Sequence, residues 1–597
     1  MYPSLAQSQS GGRPLTERVR QLLACLRELI AARGAEVVVA CVLLLMAANM
    51  LTAITRKGLT NDEFVHIPAG YYHLLAGNYT LNNEHPPLVK VWAAIPLLFI
   101  QPDEPSVTSS LDSFPTERTS SALANFWLAN IDLFKTISFW ARAVMIPLTV
   151  LLGWLIFVYA RQFAGARAGM FSVALYSLEP TILAHGRIVH TDVPAAFAYL
   201  LFFFALHRYA KDPTLRCALI LGLVMGAGLI TKFSLCIIVP VFAVAALVLL
   251  SGAARRGRSR ARLLRHVGLV ALIAIFVVNA AYRFQSQVLL KSDVAWVKLK
   301  TPEQFDEIMT GIAALSKIVP TYFLFGIYNV GIHNLHGHAA SLLGQHSYTG
   351  WWYYFPVAFA LKTTIPSLLL SLAALAWGAW RLLYKRDWHF LFLLMPVALY
   401  TAVSLSSTIN IGIRHFLPVY PFLFVLSGML LDRVLRLRRI KVAAQIFVAS
   451  LLCLMMFEAA RAYPDYTPYM NQLAWKQPAW QYLSDSNVEW GDDVPALAAY
   501  LRERGETKVR AAFAGNWITL VPYGVTYVNL FSATGKQLPE TTYVAVGASF
   551  LNGSTVPVSF AEGAYMQEEE RQNFLRDFRD RKPEVIFGNS IYLYRMK

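Results

Sequence analysis

The sequence predicts an α-helical polytopic membrane protein of about eleven transmembrane helices with a small C-terminal α/β domain outside the membrane. Three observations carry this. Of the 597 residues, 56% are hydrophobic and only 15% are charged, against about 25% charged in soluble proteins. Apolar runs such as Val37 to Ile54, Val144 to Ala160, Leu235 to Leu250 and Val267 to Ala281 recur along the chain and, with their flanks, approach the roughly 17 to 25 residues that cross a bilayer. After Glu458 the composition changes to a polar, turn-rich sequence.

The net charge of +17 would suggest nucleic acid in a soluble protein, but its distribution excludes that partner. The cations cluster in short connectors: Arg13, Arg18, Arg20, Arg27 and Arg33; Arg161 and Arg167; Arg208, Lys211 and Arg216; the run from Arg255 to Arg265; Arg381, Lys385 and Arg386; and "DRVLRLRRIK" ending at Lys441. Placing all of them on the cytoplasmic side gives an alternating topology without conflict, as the positive-inside rule asks.

Taken in order, residues 1–34 form a cytoplasmic segment, and the first helix is an uncleaved span because no small-residue cleavage site follows it. Spans are expected at 35–55, 137–160, 168–185, 194–210, 216–231, 234–252, 266–284, 357–380, 388–405, 415–432 and 441–459. Together, residues 35–459 make the membrane domain. An odd number of spans with the N-terminus inside leaves residues 460–597 outside as the α/β domain. Two outer loops, 56–136 and 285–356, contain amphipathic aromatic stretches such as "FWLANIDLF" and "TGWWYYFP", which suit helices lying in the interface over a cavity. In the tail, the strand-like "VRAAFAG", "TYVAVGASF" and "EVIFGNSIYLYRM" alternate with the helix-like "VPALAAYLRERG" and "EEERQNFLRDF". The cysteines at 25, 41, 217, 236 and 453 form no CxxC pair, so neither a disulfide framework nor a thiolate metal site is indicated.

Chemistry concentrates on the outer side. Arg187 in "LAHGRIVHTD", Lys232 in "LITKF", Lys362 in "FALKTTIP" and Arg414 in "NIGIRHFLP" are cations where the positive-inside rule disfavours them. Cations gathered at the outer ends of spans suit a phosphate; the plainer reading is that each pairs with a nearby acid or snorkels to headgroups. The first outer loop opens with "NDEFVHIPAGYYHLLAGNYTLNNEHPPLVK", residues 61–90. Thr60 to Glu63 fits a capping box. In a helix starting at Asn61, Asp62 and His66 share a face, and Pro68 is expected to bend or end the first turns. The diproline after His85 stiffens the turn that carries Glu84, His85 and Lys90. Asp192 opens a later span, with an ordinary explanation as its N-cap, and has His185, Arg187 and His190 beside it. Asp62, His66, Glu84, His85 and Asp192 are also possible donors for a divalent cation, although no ligand spacing is diagnostic.

These stretches resemble a family. "NDEFVH…AGYYHLLAGNY…NNEHPPLVK" is similar to the first outer loop of polyprenyl-phosphate-dependent glycosyltransferases of GT-C fold, among them the protein O-mannosyltransferases and the bacterial aminoarabinose transferases. The stretches from Ala141 to Gly165 and from Ala184 to Tyr209 resemble the second to fourth spans of bacterial relatives. "NIGIRHFLPVYPFLF" and "DSNVEWGDDVPALAAYL" resemble later segments. The resemblance implies an integral membrane enzyme, of the bacterial inner membrane in a bacterial host. It would move a sugar from a polyprenyl-phosphate donor to a hydroxyl of a protein, lipid or glycan acceptor, with inversion. Its acidic pair falls on Asp62 and Glu63 and its second loop acid on Asp192, with Asp62 as base or acceptor-positioning residue. Arg187, Lys232, Lys362, Arg414 and Lys90 are then candidates for the donor phosphate, and His66, Glu84, His85, His190 and His415 for the cavity. The chain lacks the trefoil insert of the eukaryotic O-mannosyltransferases and has Glu84-His85-Pro86 where the aminoarabinose transferases have Glu-Lys-Pro, so both of those acceptors are in question. The rival reading from another class is a lipid or solute transporter, which commonly shows related halves or helices broken at corresponding positions; no such repeat is evident in the sequence.

Overall fold

A computed structural model describes residues 15–107, 111–254, 257–285, 287–532, 541–559 and 565–596, with backbone alone for 15–32. Arg13, Arg255 and Arg256 of the basic connectors, and the side chains of Arg18, Arg20, Cys25 and Arg27, lie outside the described parts. Among the described residues nine helices are long and apolar enough to cross a membrane: Arg33–Ile54, Ile131–Ala164, Asp192–Lys211, Phe233–Ser251, Arg260–Ala281, Ile365–Tyr384, Trp388–Leu405, Ile413–Leu435 and Arg438–Ala462. They match nine of the expected spans. The other two expected spans are helical but short: Ala166–Leu178 stops where Pro180 starts a new six-residue helix, and Leu215–Leu229 has 15 residues.

Burial separates the centre of the bundle from its rim. The apolar windows of Ile413–Leu435 and Asp192–Lys211 are 83% and 72% buried, against 17% for Arg438–Ala462. The two central helices therefore face protein almost all round, and rim helices present their apolar surface outward, as a lipid-facing helix must.

Both long loops fold into helices. The first holds Asn61–Ala76, Pro87–Ala94, Leu97–Ile100 and Pro115–Ala129, packed through Phe64, Leu81, Phe126 and Trp127. Gly70 lets two of these helices approach: a Cβ there would lie 2.0 Å from the Lys90 carbonyl oxygen. The second loop holds Lys291–Lys300, Phe305–Leu315 and Thr321–His336, then a ribbon of β1 (Ala340–Leu342) and β2 (Gln345–Ser347). A buried ion pair joins the loops: Arg118 Nη2 lies 2.6 Å from Asp293 Oδ1, and Tyr322 donates to the other carboxylate oxygen at 2.8 Å. A buried pair is tolerated when every polar atom around it is also bonded, and Arg118 completes its set on Thr80 O and Ser292 Oγ.

The tail builds a five-stranded sheet from β3 (Lys508–Ala512), β4 (Thr526–Asn529), β5 (Tyr543–Gly547), β6 (Val585–Phe587) and β7 (Ile591–Arg595), in the order β4-β3-β5-β7-β6. β3 runs parallel to β4 and β5, and β7 antiparallel to β5 and β6. Helix Val494–Glu503 packs with Val509, Ala511 and Ala545 through Val494, Leu497, Ala498 and Leu501, the i, i+3, i+4, i+7 stripe of an amphipathic helix. The run "EVIFGNSIYLYRM" is two strands rather than one, because Gly588 and Asn589 both take positive φ (53° and 57°), the geometry that closes a tight hairpin.

Two local expectations are corrected. Helix Asn61–Ala76 does not end at Pro68 but continues past it. Proline has no N–H to give to the Phe64 carbonyl, and the indole Nε1 of Trp127 donates to that oxygen instead, at 2.8 Å. The N-cap of the later span is Thr191, so Asp192 is the first helical residue, leaving its carboxylate free to reach sideways.

Candidate active site

Four backbone features bring the site together at one end of the bundle. Helix Asn61–Ala76 starts just after the first span. Asp192 and Arg414 sit at the starts of the two most buried spans, and Lys232 is an extended residue just before Phe233.

The capping box at Thr60 is formed: Glu63 N donates to Thr60 Oγ1 at 3.3 Å and Thr60 N to Glu63 Oε2 at 2.8 Å. Glu63 is fully buried and its other oxygen accepts from Val189 N at 3.0 Å. It thus fastens the helix start to the loop that carries Asp192. Asp62, one residue earlier and about 100° round the helix, points the other way. Its side chain is 19% exposed. It is ion-paired with Arg414 Nη1 and lies 3.9 Å from His66 Nε2. Arg414 Nη1 is also 3.8 Å from Asp192 Oδ2. Asp192 is ion-paired with Lys232 and stands 3.0 Å from His190 Nδ1. The result is a chain of alternating charge: Asp62, Arg414, Asp192, Lys232.

Burial alone would raise the Asp62 carboxyl, but the Arg414 guanidinium and then His66 outweigh it and hold it below the usual range. It is therefore a carboxylate at neutral pH. Burial drives the His66 imidazole down to about 4 and that of His85 well below its usual value. Both are neutral near pH 7, their rings edge to face at 4.8 Å. His66 Nε2 and His85 Nδ1 are buried without a hydrogen-bond partner.

Of the expected residues, Asp62, Glu84, His85, Asp192, Lys232, Arg414 and His415 line a cavity of about 710 Å³, and His66 and Glu63 do not. Others stand outside it. Arg187, fully buried, pairs with Asp492 at 3.1 Å. Lys362 donates to the carbonyls of Thr467 and Asn487, each at 2.6 Å, and Lys90 to Asn82 O at 2.8 Å. Of these three cations only Arg187 pairs with an acid, as the plainer reading expects, and the two lysines are bonded to main-chain carbonyls. His190 lies behind Asp192, its Nε2 2.8 Å from His185 O.

Sequence reasoning passed over a further set of lining residues. His333 and His338 come from the second loop and Asp485, Glu489, Trp490 and Ser549 from the tail. The cluster "GIHNLHGH" and the acidic "DSNVEWGDD" were visible signals, but nothing local says that they face Asp62. His333 Nε2 lies 3.2 Å from His338 Nδ1, and its Nδ1 3.9 Å from Glu84. Glu489 accepts from Ala514 N (2.5 Å), Ser549 N (3.0 Å) and Ser549 Oγ (2.6 Å). Burial pushes its carboxyl up to about 7, against the lowering effect of those donors.

Among the described residues no group of three or more His, Cys, Asp or Glu side chains is disposed to hold a metal ion, and the carboxylates of Asp62 and Asp192 are engaged by Arg414 and Lys232.

Residues 122–282, which include Asp192 and Lys232, match the family model of dolichyl-phosphate-mannose-protein mannosyltransferase. This bears out the resemblance to polyprenyl-phosphate-dependent glycosyltransferases read from the sequence. No curated protein matches the chain. Among solved structures, ArnT from Cupriavidus metallidurans bound to undecaprenyl phosphate is 14% identical, with a TM-score of 0.46, over 94% of this chain and 98% of that one. The archaeal oligosaccharyltransferase AglB from Archaeoglobus fulgidus, in complex with an inhibitory peptide and a dolichol-phosphate, is 12% identical, with a TM-score of 0.43, over 87% and 70%.

Proposed function

We propose that this integral membrane protein, a glycosyltransferase by the family that its residues 122–282 match, moves a sugar from a polyprenyl-phosphate donor to an acceptor hydroxyl. The carrying observation is the cavity in which Asp62 and Asp192 alternate with Arg414 and Lys232. Two cations on one wall suit a phosphate leaving group, whose negative charge grows as the bond to the sugar breaks. A carboxylate beside them suits the acceptor: its oxygen attacks the anomeric carbon, its proton passes to Asp62, and the carbon–phosphate-oxygen bond breaks, leaving the charge on the lipid phosphate. Attack opposite the phosphate inverts the anomeric centre. While paired with Arg414, Asp62 is a weak base. A donor phosphate that draws the guanidinium to itself relieves that pairing and raises the basicity of Asp62 when it is needed.

The cavity opens at the outer face in this reading. The ends of the central spans remote from the site carry Arg208 and Lys211, and Arg433 and Arg436, as cytoplasmic ends do. In a bacterial host this corresponds to the inner membrane, with the N-terminus cytoplasmic and the sheet-bearing tail extracytoplasmic.

The test is transfer itself. Purified protein supplied with radiolabelled polyprenyl-phosphate sugars and a membrane extract should label an acceptor. Asp62→Asn should lose at least about 100-fold of that rate, the scale of a positioned base. Equal labelling by the variant would remove Asp62 from the mechanism.

A further inference from the structure

The segment Ser484–Asp493, "SDSNVEWGDD", belongs to the tail yet touches both the turn of Arg414 and the start of the Asp62 helix. Ser486 Oγ donates to Ile411 O at 2.6 Å, and Asn487 Oδ1 accepts from Ile413 N at 2.9 Å. Both contacts fix the turn that carries Arg414. On the other side, Trp490 O accepts from Asn61 N at 3.0 Å and Asp492 O from Gly58 N at 2.7 Å, which fixes the start of the helix that carries Asp62. Gly491 makes the path possible: its φ is +93°, and a Cβ there would lie 2.5 Å from Ala514 O.

Trp490 serves both sides at once. Its ring is 3% exposed and lies beneath the guanidinium of Arg414, with Cζ 4.3 Å from the ring centroid. The rings of His185 and His190 stand around it, each 5.7 Å away between centroids. An arginine over an aromatic face is held by the ring quadrupole without losing its planar donors, and Nη1 remains turned to Asp62 and Asp192. Arg414 Nε is buried without a hydrogen-bond partner, so hydrogen bonding alone does not fix the plane of the guanidinium.

We infer that Trp490 is a positioning residue for the donor phosphate: its ring sets Arg414, its carbonyl sets the Asp62 helix, and the tail thereby completes the membrane site. The inference rests on the proposed function, since it assigns the phosphate to Arg414.

A tryptophan of unchanged shape but weakened ring charge tests this without disturbing the fold. Mono-, di- and trifluorotryptophan installed at position 490 should lower affinity for a polyprenyl phosphate stepwise, by about 2- to 30-fold at the end of the series. The unfolding temperature and the KM for acceptor should stay unchanged. Trp490→Phe, which keeps a weaker aromatic face, should fall between wild type and Trp490→Leu. If wild type binds the lipid phosphate and the fluorinated series is flat, the positioning role is overturned and the proposed function stands. If wild type itself does not bind the lipid phosphate, both fall.

Discussion

Asp62 and Glu63 are neighbours with opposite fates because a helix turns successive side chains about 100° apart. Glu63 is spent on Thr60 N and Val189 N, while Asp62 faces the cavity and Arg414. Glu489 is a third kind of acid, buried, bonded only to neutral donors, its carboxyl pushed up to about 7 by burial. Its folded value lies above that of an unfolded chain, so the stability it contributes is full below about pH 4.3 and is lost as pH rises through about 7. The loss amounts to about 4 kcal/mol at most. Thermal unfolding at pH 5, 6, 7 and 8 should show wild type weakening across this window and Glu489→Gln weakening less; parallel curves would exclude Glu489 as the source. At this scale the sequence named the acids and cations but not their partners. Asp62 and Asp192 were legible as candidates, whereas Arg187, Lys362 and Lys90 looked equally free and are each consumed by a distant or main-chain acceptor.

Among the elements, the first outer helix depends on a tryptophan 63 positions further along the chain. Trp127 Nε1 replaces the bond that Pro68 cannot give to Phe64 O, so Trp127→Phe strands a buried carbonyl. The unmade bond alone should cost about 1 to 3 kcal/mol. It should also loosen the turn that holds Asp62, read as a lowered unfolding temperature together with a reduced transfer rate; an unchanged unfolding temperature would count against this account. A helix breaker rescued from afar is invisible to local rules, which is why the sequence points to a bend or an end at Pro68. The tail shows the converse. Gly588-Asn589 is a local turn signal sufficient to split "EVIFGNSIYLYRM" into β6 and β7, while β4, only four residues long, carries little pattern of its own.

For the molecule as a whole, hydropathy and the spacing of cations made nine spans legible, because crossing a bilayer constrains every residue of a span. The site is legible only in part, because it assembles from residues 61–85, 192, 232, 333–338, 414–415 and 485–490, and no periodicity links such distant positions. What the assembled site shares is its end of the bundle and its alternating charge. That arrangement makes one demand that a merely structural ion pair would not. Asp62 competes with an incoming phosphate for Arg414, so removing its charge should strengthen binding of the lipid carrier even as it abolishes transfer. The most direct measurement is therefore titration of wild type, Arg414→Ala and Asp62→Asn with a polyprenyl phosphate. Arg414→Ala should bind about tenfold more weakly than wild type and Asp62→Asn about tenfold more tightly. An Asp62→Asn variant that binds no better than wild type would contradict the assignment of Arg414 and Asp62 to phosphate and acceptor.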